Sequence, residues 1–191
     1  MTTNEIQSLI QYATEIIGTK YVWWIEGETT DEIAHPFYVK QLPSKEYLEK
    51  NGINCAGVIN YLLLKLGKDV KGFGPYIGGT YQWYSYFNSN NMLHKIDCNK
   101  NYPIGSLFIR EYIDAEDQGH LAILYNYDSY SDKTLTDSDK TLTDSDIIHA
   151  WTFGEYPNNN GGVIVNKFTE SHSIIDGGYY NYVVYPEDWL K

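Results

Sequence analysis

The run from Cys55 to Gly67, Cys-Ala-Gly-Val-Ile-Asn-Tyr-Leu-Leu-Leu-Lys-Leu-Gly, constrains the fold more than any other stretch of this chain. Val58, Ile59, Leu62, Leu63 and Leu66 recur at helical spacing, so the run predicts an amphipathic helix with one face on a core and a stop at Gly67. Cys55 then falls in the first turn. Unpaired backbone N–H groups and the positive end of the helix dipole favour a thiolate there, so the position predicts a cysteine of lowered pKa. Ala56 and Gly57 leave room for another segment to approach the sulfur. A free cysteine is also a good small core residue, and only exposure and pKa separate a nucleophile from a packing element.

Such a helix needs a surface to pack on, and the second half of the chain supplies one. Residues 104–109, 120–125, 147–151, 163–165 and 179–185 are short, apolar and rich in β-branched and aromatic residues, the pattern of strands. The N-terminal 17 residues place Ile6, Ile10, Ala13 and Ile17 at helical spacing and predict a surface helix. A helical turn is expected over 46–50 and a helix over 80–87, with an irregular loop over 26–43 covering the region in front of Cys55. Helices first and sheet afterwards read as α+β, with the Cys55 helix packed on a central antiparallel sheet. At 191 residues the chain suits one domain, 1–191. The heptapeptide 131–137 recurs unchanged as 138–144, and two copies are too few for a solenoid, so 131–146 is expected to be a duplicated polar loop insertion.

Charge and cysteine content remove several function classes. The net charge is −11 with no Lys/Arg cluster, which is the wrong footprint for a nucleic-acid binder. Cys55 and Cys98 allow at most one disulfide, and neither lies in a C-x-x-C or His-Cys cluster, so no metal site and no cofactor are expected. No apolar run reaches bilayer length, so no transmembrane segment is expected. The first 17 residues lack the basic start and apolar run of a signal peptide, which points to the cytoplasm or to delivery by a non-classical route.

A thiol hydrolase needs a thiol, an imidazole within reach and a polar group to orient that imidazole. Of five histidines, His35, His94 and His172 stand in loop-like or polar surroundings. His120 and His149 each stand at the edge of an apolar strand segment. If those strands are antiparallel neighbours, the two imidazoles come side by side.

Asn54-Cys55-Ala56-Gly57-Val58 resembles the D-C-S-G-[FL] segment of the NlpC-type cell-wall endopeptidases, a branch of the papain-like cysteine peptidases. Tyr21-Val22-Trp23-Trp24 is similar to their Y-x-W-G-G, 103–108 to their P-G-D-L strand, 119–123 to their H-V-G/A-I-Y strand, and Ile148-His149-Ala150 to their hydrophobic-H-A segment. The segments follow in the family's order over nearly the whole chain. The resemblance implies a papain-like fold, Cys55 as nucleophile, His120 as general base and acid, His149 as its orienting partner, and Tyr21 near the oxyanion. Asn54, Ala56, Trp24 and Ser106 depart from the family's usual residues without removing a catalytic atom, and Trp24 with the long 26–50 segment is expected to alter the groove.

The expected activity is hydrolysis of an amide bond through Cys55, His120 and His149, with a peptide or peptidoglycan stem-peptide fragment as substrate. Two alternatives stay open: the same thiol chemistry on a protein isopeptide or lipid ester, as hydrolase or acyltransferase, and a papain-like module that binds without cleaving.

Overall fold

The computed structural model describes residues 2–23, 36–71, 79–114, 117–127, 141–153, 161–171 and 179–191. Trp24, His35 and His172, most of the expected 26–43 loop, the loop glycines 72–78 and residues 131–140 of the repeat lie outside the described residues.

Continuous apolar runs build the sheet, as strands buried on both faces require. Its strands are β1 (His94–Lys95), β2 (Leu107–Arg110), β3 (His120–Tyr127), β4 (Ser145–Trp151), β5 (Gly162–Lys167) and β6 (Tyr182–Val184). They lie in the order β1-β6-β2-β3-β4-β5, every pair antiparallel. Successive side chains point to opposite faces, and both faces are covered. Leu107, Ile109, Leu121, Ile123, Ile148 and Ala150 face the helices, whereas Phe108, Ala122, Leu124 and Ile147 face Tyr102, Leu142, Phe168 and Tyr180. The expected α+β arrangement, a helix starting at Cys55 on an antiparallel sheet, is the one found. No helix among the described residues is long and apolar enough to cross a membrane.

Three expectations change in detail. Helix α1 (Thr3–Glu15) is started by a Thr2/Glu5 capping box, but its buried side chains are Leu9 and Ala13, followed by Ile16, while Ile17 is 44% exposed. The helix ends before Ile17, so the periodicity that placed it on the inner face does not extend that far. Edge strand β1 arises from a polar stretch with no strand pattern of its own, because β6 supplies its register through His94↔Val183. The end of the repeat is not solvated loop either. Leu142–Asp144 form a 3-10 turn with Leu142 fully buried, and Ser145 and Asp146 open β4.

Helix α2 (Lys45–Asn51) covers the turn predicted over 46–50, and helix α3 (Cys55–Lys65) departs most from its expected character. Every residue from Cys55 to Leu63 is buried, so it is a central helix enclosed on all sides, not an amphipathic one with a single inner face. It contacts α1, α4 (Thr80–Ser89), β3 and β4. The chain leaves it where expected, with Gly67 N–H bonded to the Leu64 carbonyl and Lys68 N–H to that of Leu63. Asn60, the one amide in this apolar run, explains how the enclosure is held. Its Nδ2 donates to the Phe37 carbonyl at 2.6 Å, and its Oδ1 accepts from Trp83 Nε1 at 2.9 Å. One side chain thus ties the 36–43 segment and α4 to α3. Asn60→Leu withdraws both bonds at once and should lower unfolding stability by about 2 to 4 kcal/mol in urea titration; a change below about 0.5 kcal/mol would show that Asn60 does not carry this junction.

Candidate active site

Cys55 is the first residue of α3. Asn54 caps the helix, accepting from Gly57 N–H through Oδ1 at 2.7 Å. The amide thereby satisfies one of the N–H groups that the first turn leaves without an intrahelical partner. Gly57 has a second reason to be glycine, since a Cβ there would collide with the carbonyl of Pro36. Its absence lets the 36–37 segment lie against the start of α3, and Phe37 joins the wall of the cavity in front of Cys55. Tyr21 is brought to the same place by backbone pairing, its N–H bonded to the Gly161 carbonyl and its Cα bridged to Ile53.

That cavity has a volume of about 480 Å³, and Tyr21, Cys55 and His120 all line it. Gly119 sets up His120: with φ +71° it turns the chain into β3 tightly against the backbone of Arg110 and Glu111. His149 stands behind His120. Continuing the register Ile123↔Ile148 sets small Ala122 opposite His149 and His120 opposite Trp151, so the imidazoles are diagonal neighbours on one face. His120 Nε2 and His149 Nδ1 are 2.8 Å apart. Tyr180 Oη lies 3.3 Å from the same His149 Nδ1, and His149 Nε2 lies 3.4 Å from Asn166 Oδ1. The histidines set aside in the sequence are elsewhere or outside the described residues; His94 sits in β1 against Tyr185.

Electrostatics reverse one expectation. Burial pushes the Cys55 thiol above its ordinary value of 9.0, although the Thr80 hydroxyl and the backbone at Leu121, Ala56 and Cys55 pull the other way. Burial also holds His120 well below 6.5, reinforced by His149 and by Arg110, its cross-strand partner. The resting pair is a neutral thiol and a neutral imidazole, not the thiolate predicted from the helix terminus. Desolvation outweighs the dipole because Cys55 is only 6% exposed. Tyr21 is held well above 10.0 by burial and then by Cys55 and Tyr179, so it stays a phenol able to donate.

Several side chains at the cavity carry no signal in the sequence. Thr80 Oγ1 lies 3.7 Å from Cys55 Sγ, although Thr80 begins a separate helix 25 residues on. Arg110 ends an apolar strand run, donates through Nη1 to Asp117 Oδ2 at 2.6 Å and lies over the Tyr179 ring. Ser106, singled out in the sequence, is not among the residues lining the cavity; it closes the turn before β2 by donating to the Pro103 carbonyl. Among the described residues no cluster of three or more His, Cys, Asp or Glu could hold a metal ion.

No protein-family model matches this chain, and no curated protein matches it. It is similar to a crystal structure described as similar to a lipoprotein of the NLP/P60 family from Staphylococcus aureus subsp. aureus Mu50, with 12% identity and a TM-score of 0.48. The match covers 96% of this chain and 42% of that one, so the chain spans less than half the length of the protein it matches.

The depressed histidines tie stability to pH. A buried neutral imidazole binds its proton less readily than the unfolded chain does, so stability is lost as pH falls below about 6.5. For His149, held down to about 4 by burial, the loss reaches on the order of 3 kcal/mol by pH 4. Thermal unfolding should therefore show a fall in Tm between pH 6.5 and 4 that is smaller in His149→Gln; equal slopes in the two proteins would contradict it.

Proposed function

We propose that this protein is a papain-like thiol hydrolase that cleaves an amide bond in a peptidoglycan stem peptide, with Cys55 as nucleophile, His120 as general base and acid, and His149 as the group that orients His120. One observation carries the reading: His120 lines the same cavity as Cys55 while its Nε2 is bound, at 2.8 Å, to His149 behind it. Nδ1 is then the ring nitrogen left to exchange a proton with the thiol. The five family-like segments in the sequence give the substrate class.

The neutral resting pair dictates the order of events. As Sγ attacks the carbonyl carbon, its proton passes to His120, so thiolate charge develops only when a substrate is there to receive it. The growing oxyanion is within the province of the backbone N–H of Cys55, at the start of α3, and of the Tyr21 hydroxyl. Protonated His120 then delivers the proton to the departing amine, leaving a thioester on Cys55 that water hydrolyses by the reverse transfer.

A second reading, hydrolysis of a lipid or other acyl ester by the same residues, is favoured by the cavity lining. Tyr21, Trp23, Phe37, Tyr81, Trp151 and Tyr179 give it an aromatic wall suited to an apolar acyl group.

Incubation with purified peptidoglycan, and in parallel with acyl-chain esters, followed by mass analysis of the products distinguishes the two. Peptide fragments that vanish with Cys55→Ala support the amidase; release from esters alone transfers the reading to the second substrate class, and no Cys55-dependent product from either overturns both. On the active substrate His120→Ala should lose on the order of 10² to 10⁴ in kcat, and His149→Gln should retain more activity than His149→Ala. Tolerance of an amide at 120 but not at 149 would reverse the two roles.

A further inference from the structure

The bonds behind His120 do not stop at His149. β-strand periodicity puts His120, His149 and Asn166 on one face of β3, β4 and β5. His149 lies directly opposite Ile164, which makes Asn166 its diagonal neighbour, as His149 is of His120. The line ends at Glu170 in the short helix Phe168–Ser171 after β5. Glu170 Oε2 accepts from Asn166 Nδ2 at 3.3 Å and from the backbone N–H of Lys167 at 3.3 Å. The second bond is a reach-back that fixes where the carboxylate lies.

We infer that Asn166, held by Glu170, is a positioning residue that sets the proton tautomer of His149 and through it that of His120. The logic follows donors and acceptors along the line. A carboxylate oxygen only accepts, so the Asn166 amide turns its Nδ2 to Glu170 and its Oδ1 to His149. An amide oxygen also only accepts, so His149 carries its proton on Nε2 and donates it to Asn166 Oδ1 across 3.4 Å. His149 Nδ1 is left as a lone pair. His120 must then donate into it from Nε2, which leaves His120 Nδ1 as the basic nitrogen. Tyr180, at 3.3 Å from His149 Nδ1, can donate to that same lone pair and so favours the same state. In the opposite tautomer His149 Nε2 and Asn166 Oδ1 would meet lone pair to lone pair, and His120 would present an N–H on Nδ1, unable to take a proton from the thiol. The catalytic consequence rests on the hydrolase reading; the tautomer assignment does not.

The test is long-range ¹H–¹⁵N correlation spectroscopy on the ¹⁵N-histidine-labelled protein, which reports the protonated nitrogen of each neutral ring. Both His120 and His149 should be Nε2–H in the native protein. Asn166→Leu should let His149 and His120 populate Nδ1–H and should lower kcat about tenfold with KM unchanged, whereas Asn166→Asp, which gives up the donor to Glu170 but keeps an oxygen accepting from His149 Nε2, should keep the native spectrum and a kcat above that of Asn166→Leu. A native spectrum with His149 protonated on Nδ1, or an Asn166→Leu spectrum identical to it, overturns the inference. If Asn166→Leu does not fold, the native and Asn166→Asp spectra still decide, because both must show Nε2–H on each ring. Correct tautomers in a protein that turns over no substrate would refute the hydrolase reading and leave the relay standing; turnover with the wrong tautomers would do the opposite.

Discussion

The enclosure of α3 is the constraint from which the rest of this structure follows. A helix apolar on every side from Cys55 to Leu63 must be covered on every side, and no single neighbour can do it. The sheet covers one flank, α1 and α4 others, and the 36–43 segment closes over its start where Gly57 has no side chain to obstruct it. Asn60 joins two of these coverings with buried hydrogen bonds, which are costly to break once made. The cavity in front of Cys55 is what remains between the helix start, the ends of β3 and β4 and the Tyr21 segment.

The same enclosure sets the chemistry. Taking a thiol and two imidazoles out of water disfavours every charged form, so Cys55 is pushed up and both histidines are pushed down. A helix N-terminus contributes the equivalent of about half a positive charge over its first turn, and that is not enough to hold a thiolate in this surrounding. The site is organised by position rather than by standing charge: imidazole beside imidazole, His120 Nε2 and both ring nitrogens of His149 set against defined partners, and the thiol at the head of a capped helix.

Much of this was legible in the residues. The Cys55 helix, the later strands and the adjacency of His120 and His149 follow from periodicity and order, because a strand pair brings together whatever stands at matching positions. The unread features depend on partners distant in sequence. Nothing near Thr80 or Arg110 announces that they reach the cavity, and β1 exists only because β6 offers it a ladder. Asn60 looks like a blemish in an apolar helix until Phe37 and Trp83 are placed around it. The Cys55 thiol departs from its local expectation for a related reason: the helix dipole is local and readable, whereas desolvation is a property of the packed whole. Asn166 and Glu170 were invisible because their four-residue spacing means little without the register that sets Asn166 beside His149.

A site that works from a neutral pair can be told directly from one that holds a standing thiolate. The measurement is the ultraviolet absorbance of the thiolate as a function of pH, taken as the difference between the native protein and Cys55→Ser so that Cys98 cancels. The account predicts no Cys55 thiolate near neutral pH and a titration whose midpoint lies above the ordinary thiol value of 9.0. A thiolate signal already present below pH 7 would contradict it, and would mean that the helix terminus and the histidines overcome burial after all.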